Sequence, residues 1–187
     1  MKEIKNAILI FAVFSIILGI IYPVVITGIS QLAFPHQANG NLITENGNVI
    51  GSELIGQNFS SPGYFHGRPS AINYDPITSG GSNLGPTNQE LMDRIDKRIQ
   101  KIKLEESLPS NFIVPNDMVL SSGSGLEGYI YVDSARLQVP RIAKARELSE
   151  TEVEKVIDNN IESPWLGTGS PMVNVLKLNL DLDNLRK

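Results

Sequence analysis

The chain has 187 residues, 16 Lys or Arg against 20 Asp or Glu, a net charge of −4 and no cysteine. The acidic balance argues against nucleic acid as a partner. The missing cysteines exclude disulfides and Cys-based metal or redox sites, and two histidines, His36 and His66, are too few for a His-rich metal centre.

From Ala7 to Phe34 no Asp, Glu, Lys or Arg occurs. As a helix this stretch runs roughly 42 Å, against a hydrocarbon core of about 30 Å, so it is long enough to span a bilayer. The run is too long for the apolar region of a signal peptide and lacks a small-x-small cleavage site, which predicts an uncleaved anchor in contact with membrane lipid. Residues 1–36 form this anchor and residues 37–187 a single soluble domain. Lys2 and Lys5 precede the span, and no Lys or Arg follows it before Arg68. The positive-inside rule then places the N-terminus in the cytoplasm and the domain outside it. Within the span, Tyr22-Pro23 predicts a kink. Ser15, Gly19, Pro23 and Thr27 recur every four residues, and such a small-residue stripe lets a partner helix approach closely.

After the span, Asn46-Gly47 between two short apolar runs predicts a hairpin, because both turn residues accept positive φ. Residues 60–88 are dense in Gly, Pro, Ser and Asn yet carry Tyr64, Phe65, His66, Arg68, Tyr74 and Asp75. A long loop with this many aromatics is expected to be ordered and functional. Arg68 either ties the loop down through carbonyls or meets a partner. His66, Asp75 and Arg68 together also raise the alternative of a membrane-anchored extracytoplasmic enzyme.

Thr87-x-x-Glu90 is a capping box for a helix in which Leu91, Ile95, Ile99 and Ile102 recur at helical spacing. Met118-Val-Leu predicts a short strand. Gly123, Gly125 and Gly128 fit G-x-G-x-x-G, but the following Tyr129-Ile-Tyr-Val is β-prone, so no helix opens where a dinucleotide site needs one. Asp133 or Ser134 caps a helix over 135–148, with Pro140 imposing a kink or a late start. Ser149-x-x-Glu152 is a second capping box, Pro164-Trp165 begins a loop, and Met172 to Leu178 predicts a buried strand ahead of a short amphipathic tail. The fold class is α+β: a single N-terminal transmembrane helix followed by one mixed domain.

Four stretches carry a family resemblance: Phe65-His-Gly-Arg-Pro-Ser-Ala; Ser79-Gly-Gly-Ser-Asn-Leu-Gly-Pro-Thr-Asn; Ser122-Gly-Ser-Gly-Leu with Gln138-Val-Pro-Arg-Ile-Ala-Lys-Ala-Arg; and Val173-Asn-Val-Leu-Lys-Leu-Asn-Leu. Together with the span, and in this order, they resemble the C subunit of the Kdp potassium-transporting P-type ATPase, the KdpC family. The resemblance implies an accessory subunit with no catalytic residue or cofactor of its own. Its partners would be a channel-like A subunit that binds potassium, the ion moved by the complex, and a B subunit that hydrolyses ATP. The family role is assembly of the complex, or action as a catalytic chaperone that raises ATP affinity in a complex with the B subunit. The family's nucleotide-contacting glutamine matches Gln138, beside Ser122, Gly123, Ser124 and Gly125. After that loop the family usually has Asp-Pro, where this chain has Glu127-Gly128. The charge-based orientation puts Gln138 outside the cell, away from cytoplasmic ATP.

The small-residue stripe yields a test. Gly19→Leu adds bulk without reducing apolarity, so it should weaken co-purification with the channel-like subunit and leave membrane insertion intact. Unchanged association would mean that the stripe faces lipid.

Overall fold

The computed structural model describes residues 1–45, 47–164 and 167–185. The fold is mixed α+β and divides into two compact units, Met1–Ile50 and Gly51–Lys187.

The first unit is dominated by α1, Lys2–Ala33, a helix long and apolar enough to cross a membrane, with no buried residue. Its interior is not the plain kink expected at Tyr22-Pro23. Residues Ile17–Ile21 form a π turn, and the Tyr22 amide donates to the Ile17 carbonyl five residues back. Pro23 has no N–H for the carbonyl four residues before it, and its ring crowds that turn. The wider turn ahead of the ring relieves both conflicts and lets the helix continue. It also affects the stripe. Residues spaced by four advance about 40° per step in a regular α-helix, roughly 120° from Ser15 to Thr27. A π turn absorbs about one residue of that drift, which returns Pro23 and Thr27 toward the face of Ser15 and Gly19. After α1 come a single turn, α2 (Pro35–Ala38), and two paired strands, β1 (Leu42–Glu45) and β2 (Asn48–Ser52). Gly47 takes φ +80° in the turn between them, as a tight hairpin requires; Asn46 lies outside the described residues.

The second unit contains α3 (Gln89–Glu105), α4 (Asn116–Val119), β3 (Tyr129–Tyr131), α5 (Val132–Arg136), α6 (Val139–Arg146), α7 (Glu150–Asn159), β4 (Met172–Asn174) and α8 (Val175–Asn184). Strands β3 and β4 pair antiparallel, with Tyr129 opposite Asn174, Ile130 opposite Val173 and Tyr131 opposite Met172. The core collects Ile130 and Val173 from the strands, Ile142 from α6, Val153, Val156 and Ile157 from α7, and Leu178 and Leu182 from α8.

Several local expectations change in the structure. The first turn of α3 is capped by Asn88, whose side chain accepts from the Glu90 amide at 2.8 Å, and not by a box from Thr87. An Asx side chain one residue closer to the helix satisfies the orphan donor first. Met118 belongs to the single turn α4 and not to a strand. That turn holds Asp117, which is buried and accepts from the Tyr131 amide at 2.9 Å and the Ser134 hydroxyl at 2.7 Å. Ser134 is therefore a core hydrogen-bond partner rather than a cap, and α5 starts earlier, at Val132. Pro140 gives the late start: α6 opens at Val139 with Pro140 in its first turn, where its missing N–H costs nothing. The strand expected to Leu178 stops at Asn174. The Asn174 side chain accepts from the Lys177 amide at 3.2 Å and so caps α8, and Val175, Leu178 and Leu182 then fall on its buried face. The Ser149 capping box is present with both reciprocal bonds. Trp165 and Leu166, in the loop that Pro164 opens, lie outside the described residues.

Phe65 is the loop's contribution to the core and is fully buried. Its amide donates to Asn179 Oδ1 at 2.8 Å, and Asn179 Nδ2 donates back to its carbonyl at 3.0 Å. Phe65→Ala should lower unfolding free energy by about 3–5 kcal/mol. Asn179→Ala should lower it by about 1–3 kcal/mol for each of the two stranded backbone groups. Denaturant unfolding of the detergent-solubilised chain measures both, and a Phe65→Ala protein as stable as its parent would contradict this placement of the loop.

Candidate functional site

The described residues 53–88 contain no helix or strand. Their backbone groups need other partners, and the body of the unit supplies them. Beside the Phe65–Asn179 pair, the His66 amide donates to Gln138 Oε1 at 2.8 Å, and Gln138 Nε2 donates to the His66 carbonyl at 3.1 Å. Gln138 Nε2 also donates to the Ser134 carbonyl at 3.3 Å, while Gln138 Oε1 accepts from Arg141 Nη2 at 2.8 Å. All four hydrogen-bonding positions of this buried amide are therefore in use.

Arg141 extends the same clamp. Its guanidinium donates to the carbonyls of Pro62 and Tyr64 and pairs with Glu106 at 2.8 Å. The two side chains are only 8% and 3% exposed, so this is a buried ion pair. Burial raises the Glu106 carboxyl above its ordinary range, and the Arg141 hydrogen bond opposes that shift. Glu106 Oε2 is buried without a hydrogen-bond partner. A second clamp lies at Arg146, which stacks 4.6 Å over the Tyr64 ring and pairs with Asp183 at 2.7 Å.

Between the 58–74 segment, the C-terminal half of α3 and the start of α6 runs a groove. It consists of two adjoining hollows of about 250 and 710 Å³ that share Ser60, His66, Glu105 and Glu106. Gln138 and Arg68 line the smaller one and Arg141 the larger. His66 Nε2 lies 3.0 Å from the Ser61 carbonyl oxygen, which makes it the protonated nitrogen of the neutral ring. Burial and the Arg141 charge lower the His66 pKa, against smaller contributions from Ser61 and Glu105.

The structure brings Gln138, His66 and Arg68 to one groove. It does not bring in Asp75, whose carboxylate accepts from the Ile77 amide and the Thr78 hydroxyl, both at 3.0 Å, within its own turn. Nor do Ser122, Gly123, Ser124 and Gly125 line it. Those four residues pack on the 70–81 segment: Ser70 Oγ donates to the Gly125 carbonyl at 2.7 Å, and the Gly80 amide to the Ser124 carbonyl at 2.8 Å. Gly125 has φ +68°, and a Cβ there would lie 2.6 Å from Ile72, so only glycine fits. Arg68 ties its segment to the Leu120 carbonyl at 3.4 Å. Ser15, Gly19, Pro23 and Thr27 all lie exposed along α1. Among the described residues no group of three His, Cys, Asp or Glu is placed to hold a metal.

Asn179, Arg141, Glu106 and Asp117 organise this region without a role having been read for them in the sequence. Arg141 and Asn179 lie within stretches that carry the family resemblance, and the spacing of Gln138 and Arg141 around Pro140 puts both at the start of one helix.

The lowered His66 pKa sets a pH dependence. Between the folded value and 6.5 the unfolded chain binds the extra proton, so stability rises with pH through that window and is complete above it. Acidification below pH 6.5 should destabilise the protein more than its His66→Gln variant. Unfolding midpoints of the two as a function of pH measure the difference, in which Glu106 cancels. Parallel profiles would contradict a buried neutral His66.

The family described as KdpC, "K+-transporting ATPase, c chain", matches residues 4–184. The "Potassium-transporting ATPase KdpC subunit" of Mycobacterium tuberculosis is 46% identical over 187 residues, covering 98% of this chain and 99% of its own. The protein of the same description from Caldanaerobacter subterraneus is 46% identical over 182 residues, covering 97% and 94%. That from Gemmatimonas aurantiaca is 47% identical over 189 residues, covering 99% and 94%. With the likeness running from the apolar helix through the clamped loop to α8, the chain belongs to the KdpC family, the c chain of potassium-transporting ATPases.

Proposed function

We propose that this chain is a non-catalytic accessory subunit of a Kdp potassium-uptake ATPase, anchored by α1 with its second unit outside the cytoplasm, and that it acts by assembling with the channel-like and ATP-hydrolysing subunits. The full-length family likeness supports the complex, and Lys2 and Lys5 ahead of the span support the orientation.

One observation carries the non-catalytic part. Gln138 spends its whole amide on His66, Ser134 and Arg141, and Arg141 in turn is held by Glu106 and loop carbonyls. Side chains engaged in this way shape a surface and are not free to bind and release a ligand. A nucleotide contact at Gln138 requires the Phe65–His66 segment to let go first. Any effect of the subunit on ATP affinity is then exerted through the partner it holds.

The test is Gln138→Ala in the purified complex. It leaves the His66 amide, the His66 carbonyl and part of Arg141 without partners, at about 1–3 kcal/mol for each stranded group. The expected result is reduced co-purification with the ATP-hydrolysing subunit and a matching loss of potassium-stimulated ATPase activity, with the half-saturating ATP concentration unchanged in the complex that does form. Full assembly with a raised half-saturating ATP concentration would overturn this assignment and favour direct nucleotide contact.

A further inference from the structure

Helix α3 is attached to the second unit differently from the other described helices there. Helices α4 to α8 each bury at least two residues. None of the described residues of α3 is buried, and none belongs to the core. Its apolar stripe, Leu91, Ile95, Ile99 and Ile102, is only half-buried. Packing of an amphipathic face is what ordinarily keeps a helix of this length in place, and α3 has little of it.

Two polar fastenings take over. Midway along the helix, Arg98 Nη1 donates to the Val119 carbonyl at 2.7 Å. Just past its C-terminal end, Glu106 forms the buried pair with Arg141 at 2.8 Å. Hydrogen bonds weaken steeply once their geometry is lost, so such fastenings are either made or broken. Undocking strands few groups. Glu106 would leave with α3 and be hydrated, while Arg141 keeps Gln138 and the carbonyls of Pro62 and Tyr64. The Leu108 amide donates to the Lys103 carbonyl at 2.8 Å, so the turn after the helix moves with it. On either side lie exposed connections, residues 85–87 and 111–113, and the chain rejoins the buried body at Val114. The inner side of α3 walls the groove: Arg98, Lys101, Ile102 and Glu105 line the smaller hollow, and Glu105 with the following Glu106 lines the larger.

We propose that α3 is a hinged wall of the groove, which swings away as one unit on residues 85–87 and 111–113 and is latched shut by the Glu106–Arg141 pair, with Arg98 on Val119 as the second fastening. Opening merges the two hollows into one open face and bares the stripe of α3. The Phe65 and His66 clamps and the core stay closed, because none of their bonds comes from α3. The inference stands on these contacts and does not depend on how the subunit acts in a pump.

Hydrogen exchange by mass spectrometry, on the full chain in phosphatidylcholine nanodiscs and at several low urea concentrations, tests it. The amides of residues 93–105 should open together, more readily than those of α7 and α8 and with a weaker dependence on urea, because a local opening exposes less surface than global unfolding. Glu106→Gln should speed exchange in α3 about tenfold or more and leave α7 and α8 unchanged. Arg98→Gln should act in the same direction, and it decides the matter if Glu106→Gln unfolds the whole chain. Asp158→Asn, which removes the exposed Arg136–Asp158 pair, should leave α3 as it was. Exchange in α3 with the same protection and urea dependence as α7 and α8 overturns the proposal. So does exchange graded from one end of α3, which is fraying, or a Glu106→Gln and an Arg98→Gln protein that are both folded and exchange as the parent does.

Discussion

Two buried side-chain amides hold together the part of this protein that has no regular structure. Asn179 closes both backbone groups of Phe65, and Gln138 closes both backbone groups of His66. Each amide does for one residue what a neighbouring strand would do in a sheet. The consequence is that a long loop is pinned to α8 and to the start of α6, with the Phe65 ring in the core between them. Remove either amide and the loop loses its register on the body, together with the groove that it walls.

The groove inherits its electrostatics from the same constraint. Arg141 must sit beside Gln138 to cap the loop carbonyls, and a buried guanidinium needs a counter-ion, which Glu106 provides from beyond the end of α3. A pair this dry is not a strong source of stability compared with apolar packing, but breaking it is expensive because the remaining charge stays buried. It therefore ties α3 to the loop and to α6. With Glu106 committed there, Arg68 and Arg98 are left with carbonyls as their only acceptors among the described residues.

Much of the architecture was legible because it depends on local chemistry. The uninterrupted apolar run marks α1, the repeat of Leu91, Ile95, Ile99 and Ile102 marks α3, and Ser149 with Glu152 marks the start of α7. Two short runs were misassigned. Met118-Val-Leu and Met172 to Leu178 are apolar runs too short for periodicity to separate strand from helix. Asp117 and Asn174 decided those cases through bonds to residues distant in sequence or through a cap. The groove was the least legible feature. The Phe65–Asn179 and His66–Gln138 contacts span 114 and 72 residues, and an Asn or Gln in a sequence gives no sign that it will pair with remote backbone. The family resemblance singled out Gln138 as a nucleotide contact, whereas its structural task, closing both backbone groups of His66, emerged only from the fold.

As proposed, the second unit is an extracytoplasmic platform that works by contact, so its side of the membrane is decisive. Because the chain has no cysteine, single cysteines at Ser61 and Ser163, with Asn6 as the inside control, report topology cleanly in the assembled complex on intact cells. An impermeant thiol reagent should label the first two positions and spare the third, as the Lys2 and Lys5 bias requires. Labelling of Asn6 alone would put Gln138 and its groove in the cytoplasm, expose them to cellular ATP, and contradict the account.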